Sequence, residues 1–326
     1  MFDMRRREFI TLLGGAAAWP LAASAQQPPE RMRRIGVLRF TKQDQAVINS
    51  LLRGLQTLGW VDGKNVAIEY RDAEGNHERF SKEVNELVRL NPDAIFSFGG
   101  EQAPVVKAAT SSIPIVVVVS NDPVESGLVA SLARPGGNIT GVTYVHDMLA
   151  GKSVELLKDT APWVSRVAIL WNPGHVDPEF RETQRASRLL DVQLQSLEVR
   201  TPNDFEGAFQ AAVRERAEAL IVIGSRVMFS NRQLIGDFAA TNRLILVGVP
   251  RWLMDVGALL TFGPNVAELH QRASAYLHKI LKGAKPADLP MQQPTTFELI
   301  INVKVARSLG LIVPPTVIAR ADEVIE

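Results

Sequence analysis

Short apolar runs of strand type alternate with segments of helical periodicity along most of this chain, and this alternation constrains the fold more than any other feature. The run at residues 115–119 is apolar at every position, which is typical of a strand covered on both faces in a parallel sheet. Residues 46–58 carry apolar positions at helical spacing and end at Gly59, a good helix stop. We therefore predict an α/β fold with doubly wound parallel sheets.

The alternation occurs twice, first over residues 35–145 and then over residues 146–262. Two such runs predict two Rossmann-like lobes with an interlobe cleft. A long amphipathic helix is predicted at residues 266–281, and a helix that follows a complete domain needs a sheet to cover. We therefore expect the chain to return to the first lobe over residues 263–287 and to finish the second lobe over residues 288–326.

The N-terminus has the parts of a bacterial export signal. Arg-Arg-Glu-Phe-Ile at residues 6–10 fits the twin-arginine pattern, an apolar stretch follows, and Ala-Ser-Ala ends at Ala25. We expect a signal peptide over residues 1–25, cleavage after Ala25, a tether over residues 26–34 and a periplasmic protein. The alternative is a membrane anchor, although Pro20 ends the apolar stretch well short of the roughly 20 residues of a spanning helix.

Composition excludes some classes of function. Residues 1–25 hold three of the 36 basic and two of the 35 acidic residues, so the remaining chain is neutral and offers no basic face for a nucleic acid. There is no cysteine, which removes thiol catalysis and cysteine-based zinc sites. The histidines are far apart, without metal-ligand spacing: His77, His146, His175, His270 and His278. We expect no metal and no cofactor.

Motifs for enzymatic chemistry are absent from the sequence. It contains neither a Gly-x-Ser-x-Gly elbow nor a phosphate-binding Gly-x4-Gly-Lys-Ser/Thr loop. Residues 136–141 resemble a dinucleotide-binding loop, but they precede a strand where that fingerprint must follow one. We therefore do not expect an enzyme.

Strand ends supply the candidate site residues, because ligands of open α/β sheets bind beyond the carboxyl ends of the strands. Glycines there allow close approach of the backbone to a ligand, carboxylates could hold an ammonium group, and arginines could clamp a carboxylate. The candidates are Arg39, Phe40, Gly99, Gly100, Glu101, Asn121 and Asp122 in the first run, and Asn172, Ser225 and Arg251 in the second.

Each candidate also has a purely structural interpretation. The Asn-Asp-Pro and Asn-Pro-Gly segments are strong turn formers. Asp122 could cap a helix predicted over residues 124–132. Phe40 could belong to the core, since an aromatic residue next to an apolar strand is often buried. Arg226, like Arg39 and Arg251, could clamp a carboxylate, but we interpret it as a solvated surface charge.

Segments spread over nearly the whole chain match a known pattern in order. They are the export signal and residues 63–71, 122–124, 128–141, 280–290, 297–302 and 319–326. In these segments the chain resembles the periplasmic substrate-binding proteins of ABC importers, in the family that includes tryptophan- and tyrosine-binding proteins. The resemblance implies the type I periplasmic-binding fold, with three hinge crossings and a ligand held between two lobes, and an ABC permease of the inner membrane as partner.

The resemblance also concerns site residues. Residues of the same type as in the family stand at Gly99, Gly100, Asp122, Asn172 and Arg251. The departures lie in the specificity loops: Arg39-Phe40 replace small hydroxyl residues, Glu101-Gln102 replace a Thr-Pro type pair, Gly248 replaces an aromatic residue and Ser225-Arg226 replace an acidic position. An aromatic amino acid is therefore not assumed as the ligand.

These observations predict a monomeric, non-enzymatic receptor that captures a small polar solute, an amino acid or a related carboxylate. The receptor would close by hinge bending and dock on the permease. Two alternatives stay open, namely an exported ligand sensor for a receptor kinase and an exported enzyme on the same scaffold.

Overall fold

Two β-sheets, each with helices on both faces, make up the chain from Arg33 onward. The computed structural model describes residues 31–144, 148–175 and 178–326. The predicted signal peptide, most of the tether and His146 lie outside the described residues. No helix among the described residues has the length and apolar character needed to cross a membrane.

The strands of the described chain are short and mostly buried. They are β1 (Arg33–Arg39), β2 (Val66–Asp72), β3 (Ala94–Phe98), β4 (Ile115–Val119), β5 (Ile139–Thr143), β6 (Arg166–Trp171), β7 (Gln193–Glu198), β8 (Ala219–Val222), β9 (Ile245–Gly248), β10 (Leu260–Pro264), β11 (Phe297–Asn302) and β12 (Glu323–Ile325). The first sheet has the order β2-β1-β3-β4-β5 and the second the order β12-β11-β10-β9-β8-β6-β7.

The α-helices alternate with these strands. They are α1 (Gln45–Thr57), α2 (His77–Arg89), α3 (Ala103–Ala109), α4 (Met148–Thr160), α5 (Glu179–Leu189), α6 (Phe205–Arg214), α7 (Arg226–Ser230), α8 (Arg232–Thr241), α9 (Val266–Leu281), α10 (Val303–Leu309) and α11 (Pro315–Ile318). Their sequences explain their positions. Helix α1, for example, buries Val47, Ile48, Leu51 and Leu55, which recur at helical spacing on one face.

Each sheet is covered by apolar side chains on both faces, as a doubly wound fold requires. All strand pairs of the first sheet are parallel. In the second sheet β11 runs antiparallel to β10, and β12 is parallel to β11. The prediction of two parallel α/β lobes is thus confirmed, with a reversed pair of strands at one edge of the second sheet.

The chain passes between the lobes more than once. Helix α4 follows the first sheet but packs in the second lobe's core, whereas α9 follows β10 and buries Leu269, Ala273 and Leu277 against the first sheet. Gln292 then pairs with β5, through backbone hydrogen bonds to Gly141 and Thr143. Residue 292 therefore still pairs with the first sheet, whereas β11, which begins at Phe297, lies in the second. The predicted lobe limits stay a prediction.

One predicted helix is replaced by turns. Residues 124–132 form no α-helix, although Asp122 caps the first turn by accepting hydrogen bonds from the backbone N–H groups of Val124 and Glu125. Gly127 stops helix growth, because its φ of 69° lies in the left-handed region. The segment still buries Leu128 and Val129 in the core of the first lobe.

Candidate functional site

Side chains from the two lobes meet at the carboxyl ends of their strands. Glu101, in the loop after β3, reaches the second lobe, where its Oε1 lies 3.3 Å from Nδ1 of His175. The same oxygen accepts a hydrogen bond of 3.1 Å from the backbone N–H of Arg226. These contacts join the loops after β6 and β8 to the first lobe, so the cleft is closed at this point.

Arg226 fills a cage in the first lobe. Its Nη1 donates to Oδ1 of Asp44 at 2.5 Å, and its Nη2 donates to the carbonyl oxygen of Phe98 at 3.3 Å and to Oε1 of Gln102 at 3.5 Å. The guanidinium carbon lies 5.5 and 5.4 Å from the ring centroids of Phe40 and Phe98, within the range of cation–π attraction. We call Phe40, Asp44, Phe98 and Gln102 the guanidinium cage.

The burial of this ion pair corrects the interpretation of Arg226 as a surface charge. Its side chain is only 8% exposed, and that of Asp44 is 1% exposed. Burial of a lone charge is very unfavourable. Arg226 can be buried because a carboxylate and further hydrogen-bond acceptors surround its guanidinium group.

Local structure fixes both members of the pair. Asp44 closes the turn that follows β1, because its Oδ2 accepts hydrogen bonds from the backbone N–H groups of Phe40 and Thr41 at 2.9 and 3.0 Å. Its other oxygen is left for the guanidinium. Ser225 caps α7 by accepting a hydrogen bond from the N–H of Met228 at 3.5 Å. Arg226 is therefore the first residue of that helix.

Two glycines make room for these side chains. Gly99 has a φ of 106°, and a Cβ atom there would lie 2.7 Å from Nη2 of Arg226. A Cβ atom on Gly100 would lie 2.7 Å from Oδ1 of Asn121. Both distances are too short for a carbon contact. The absence of a side chain at these two glycines, which were predicted to let a ligand approach the backbone, therefore makes room for Arg226 and Asn121 in this closed form.

The surroundings of Glu101 favour the ionised form of its carboxyl group. Burial by itself raises the pKa of this carboxyl, but the hydrogen bond and charge of His175 and the backbone N–H of Arg226 outweigh it and lower the pKa to about 2. Glu101 is therefore ionised at neutral pH and places a fixed negative charge between the lobes.

A neutral aromatic wall stands beside the guanidinium cage. The ring of Phe98 meets those of Tyr144 and His270 edge-on, at centroid distances of 6.5 and 6.3 Å. The Tyr144 hydroxyl lies 3.2 Å from Nε2 of His270. Burial lowers the pKa of His270 to about 4 and raises that of Tyr144 above its ordinary value, so both groups are uncharged at neutral pH.

Two buried amide atoms near the cage are unused within the described chain. They are Oδ1 of Asn121 and Nε2 of Gln102, in residues that are 5% and 1% exposed. Buried polar atoms normally have a hydrogen-bond partner, so these two atoms are available to a ligand's acceptor or donor groups.

The structure brings six predicted site residues to this region, namely Phe40, Gly99, Gly100, Glu101, Asn121 and Ser225. The other four make local contacts, and their roles at the ligand stay a prediction. Arg39 pairs with Asp72 and Gln45, Asp122 caps its turn, Asn172 accepts a hydrogen bond from Gly174, and Arg251 pairs with Glu323 at 2.7 Å and with Glu298 at 3.7 Å.

The sequence did not predict Asp44 or His175 as site residues. It also did not predict that Arg226 is buried. Asp44 carries a signal, because Thr41-x-x-Asp44 has the spacing of a capping box. His175 stands three residues beyond the candidate Asn172, in the same strand-end loop. The position of Arg226 after β8 is evident from the sequence, but its burial depends on Asp44, which is 182 residues away in the chain.

Residues from three of the four expected departures from the family pattern meet in the structure, through contacts with Arg226. Arg226 stacks over Phe40, donates its backbone N–H to Glu101 and donates a guanidinium N–H to Gln102. Three strand-end loops therefore meet around one guanidinium group.

Comparison with known sequences gives a family match over most of the chain. Residues 34–325 match the family model described as ABC transporter substrate binding protein. A tyrosine-binding protein of Clostridioides difficile is 23% identical over 288 residues, which cover 86% of this chain and 82% of that protein.

Solved structures share the fold. The ABC domain from Streptococcus pneumoniae, in complex with L-Trp, superposes with a TM-score of 0.82 at 24% identity and covers 90% of this chain and 99% of its own. A conserved domain protein of Vibrio cholerae gives a TM-score of 0.83 at 26% identity and covers 90% of this chain and 100% of its own. These similarities confirm the predicted two-lobe fold.

Proposed function

Since the chain belongs to the ABC transporter substrate-binding protein family, we propose that it captures a small polar solute between its lobes and delivers it to an ABC importer. The observation that carries this proposal is the meeting of Glu101 and the guanidinium cage with His175 and Arg226 at the cleft. A solute that contacts groups of both lobes stabilises the closed form by its differential affinity for that form.

We propose an amino acid or a related carboxylate as the solute. The L-Trp and tyrosine named for two relatives support this class of ligand. The cleft also offers the carboxylates of Glu101 and Asp44, which can hold the solute's amino group, and the unused Nε2 of Gln102, which can donate a hydrogen bond to its carboxylate. Because the loops around Arg226 depart from the residue types expected of the family, an aromatic amino acid is not assumed as the solute.

Export to the periplasm, a monomeric state and the absence of catalysis are further parts of the proposal. The twin-arginine motif at residues 6–7 supports export. Replacing both arginines with lysine should retain the protein in the cytoplasm, as measured by cell fractionation. Periplasmic accumulation of this variant would contradict the twin-arginine route.

The first experiment identifies the solute. The protein is purified without denaturation, retained small molecules are identified by mass spectrometry, and amino acids and carboxylates are screened by thermal shift. A true ligand at 100 times its Kd should stabilise the protein by about 2.7 kcal/mol. A protein that retains nothing and responds to no compound in such libraries would contradict solute capture.

A matched pair of variants tests the location of the site. Phe98→Ala removes one face of the guanidinium cage and should weaken binding of the identified solute by about tenfold or more. Phe209→Ala removes a ring that stacks on Phe238 at 3.9 Å on the second lobe and should leave the affinity unchanged. Equal effects of the two changes would refute the location.

Delivery is tested with the permease in proteoliposomes. The solute-loaded protein should stimulate ATP hydrolysis by its permease and drive uptake of the solute, and the solute-free protein should do neither to the same extent. A protein that binds its solute but never stimulates the permease would refute the importer part of the proposal.

A further inference from the structure

We infer that the guanidinium cage is a cation-binding site of the first lobe, filled by Arg226 in this closed form, and that the cationic group of the solute, a guanidinium or an ammonium, replaces Arg226 there. The inference rests on the proposed function, because it names the class of solute for the same cleft. In the closed form without solute, the guanidinium group of Arg226 occupies the position that the solute's cationic group would take.

The chemistry of the cage selects a cation. Its groups are the carboxylate of Asp44, the carbonyl oxygen of Phe98, the amide oxygen of Gln102 and two aromatic faces. All of these groups attract positive charge and none of them donates a hydrogen bond to the guanidinium. Glu101 adds a second negative charge nearby.

The cage and its occupant belong to different lobes. Phe40, Asp44, Phe98 and Gln102 lie in or next to the strands of the first sheet, whereas Arg226 begins α7 in the second lobe. Opening of the lobes withdraws the arginine and leaves the carboxylate of Asp44 without its counter-ion. The open first lobe then presents a carboxylate and two aromatic faces with no cation among them, so it attracts a new cation.

The cage is preorganised to stay intact after Arg226 leaves. Asp44 remains fixed by the two backbone N–H groups of its turn. The ring of Phe40 packs against those of His77 and Phe80, and Phe98 is supported by Tyr144 and His270. A site that needs no rearrangement binds its ligand without an ordering cost.

Hydrogen-bonding capacity near the cage suits the remainder of such a solute. Oδ1 of Asn121 can accept a hydrogen bond and Nε2 of Gln102 can donate one, and both atoms are buried without a partner in the described chain. A solute with a cationic head and a polar body would use all of these groups.

The test supplies a free cation to an emptied cage. Propylguanidinium, propylammonium and butyrate are titrated at equal ionic strength into the wild type and into Arg226→Ala, with binding measured by calorimetry. Arg226→Ala should bind propylguanidinium about tenfold or more tightly than the wild type does, and should ignore butyrate. Adding Asp44→Asn to this variant should weaken that binding by about tenfold or more, because the charge-assisted hydrogen bond is lost.

A matched control separates the cage from a general effect of losing an arginine. Arg232 stacks over Phe229 at 4.8 Å in the second lobe, outside the cage, so Arg232→Ala should respond as the wild type does. If Arg226→Ala lacks a cooperative unfolding transition, Arg226→Gln takes its place with the same expected ranking of the three probes.

Equal affinity of the wild type and Arg226→Ala for propylguanidinium would overturn the inference. Binding of butyrate by the wild type, lost in Arg226→Ala, would overturn it in favour of a permanent anion receptor. If the wild type retains a natural solute while Arg226→Ala ignores propylguanidinium, only the cage inference fails. If Arg226→Ala binds propylguanidinium while the wild type captures no solute, only the proposed function fails.

Discussion

Replacing Glu101 with glutamine tests whether the fixed charge at the cleft stabilises this form of the protein. A carboxyl whose pKa lies at about 2 in the folded protein and at 4.5 in its ordinary state contributes about 3 kcal/mol at neutral pH. This is an upper value, since the side chain keeps 23% of its surface exposed. Glu101→Gln keeps the shape of the side chain and removes its charge, so most of this contribution should disappear.

The dependence on pH follows from the direction of the pKa change. The unfolded chain binds a proton at Glu101 below about pH 4.5, whereas the folded chain stays ionised down to about pH 2. The stability that the wild type has over Glu101→Gln is therefore complete above about pH 4.5. It decreases as the pH falls toward 2, by at most about 1.4 kcal/mol per pH unit.

Urea unfolding followed by circular dichroism measures this difference at pH values between 7 and 3. Glu125→Gln is the matched control, because Glu125 also pairs across the lobes, with Arg181 at 3.1 Å, but is 44% exposed. Its effect should stay at or below about 1 kcal/mol. An advantage of the wild type over Glu101→Gln that is the same at pH 3 and pH 7 would refute the reasoning, because packing would then explain it.

Three further changes have defined outcomes in urea unfolding. Gly141→Ala should lower the free energy of unfolding by about 3 kcal/mol, because φ of Gly141 is 143° and a Cβ atom would overlap the backbone of the neighbouring strand. An unchanged free energy of unfolding would contradict this. Asn302→Ala should cost about 1 kcal/mol, because Asn302 caps α10, and a cost near zero would show that the cap is dispensable. In a double-mutant cycle, Asp44→Asn and Arg226→Met should show a coupling of about 2 kcal/mol, and additive effects would refute their interaction.

The fold could be predicted from local patterns, because most strands and most helices carry their own signal. Residues 115–119 are apolar throughout and form the interior strand β4, and the amphipathic pattern at residues 266–281 gives α9. The prediction failed at residues 124–132, where helical spacing and a capping aspartate were present. The left-handed conformation of Gly127 is set by how the loop packs, which the pattern does not contain.

The site could be predicted only in outline. Strand ends indicated Phe40, Glu101 and Ser225, because topology alone brings those ends to the cleft. The burial of Arg226 could not be predicted in this way. It requires a carboxylate from the other lobe at hydrogen-bond distance, and such a long-range pair has no local signature in the sequence.

Helix α9 has a consequence for biosynthesis. It supplies Leu269 and Leu277 to the core beneath β1 to β5, so a nascent chain that ends before residue 281 exposes one side of that sheet. The core of the first lobe is therefore incomplete until most of the chain has been made. A chain of this kind can complete its native structure only after its synthesis is nearly finished.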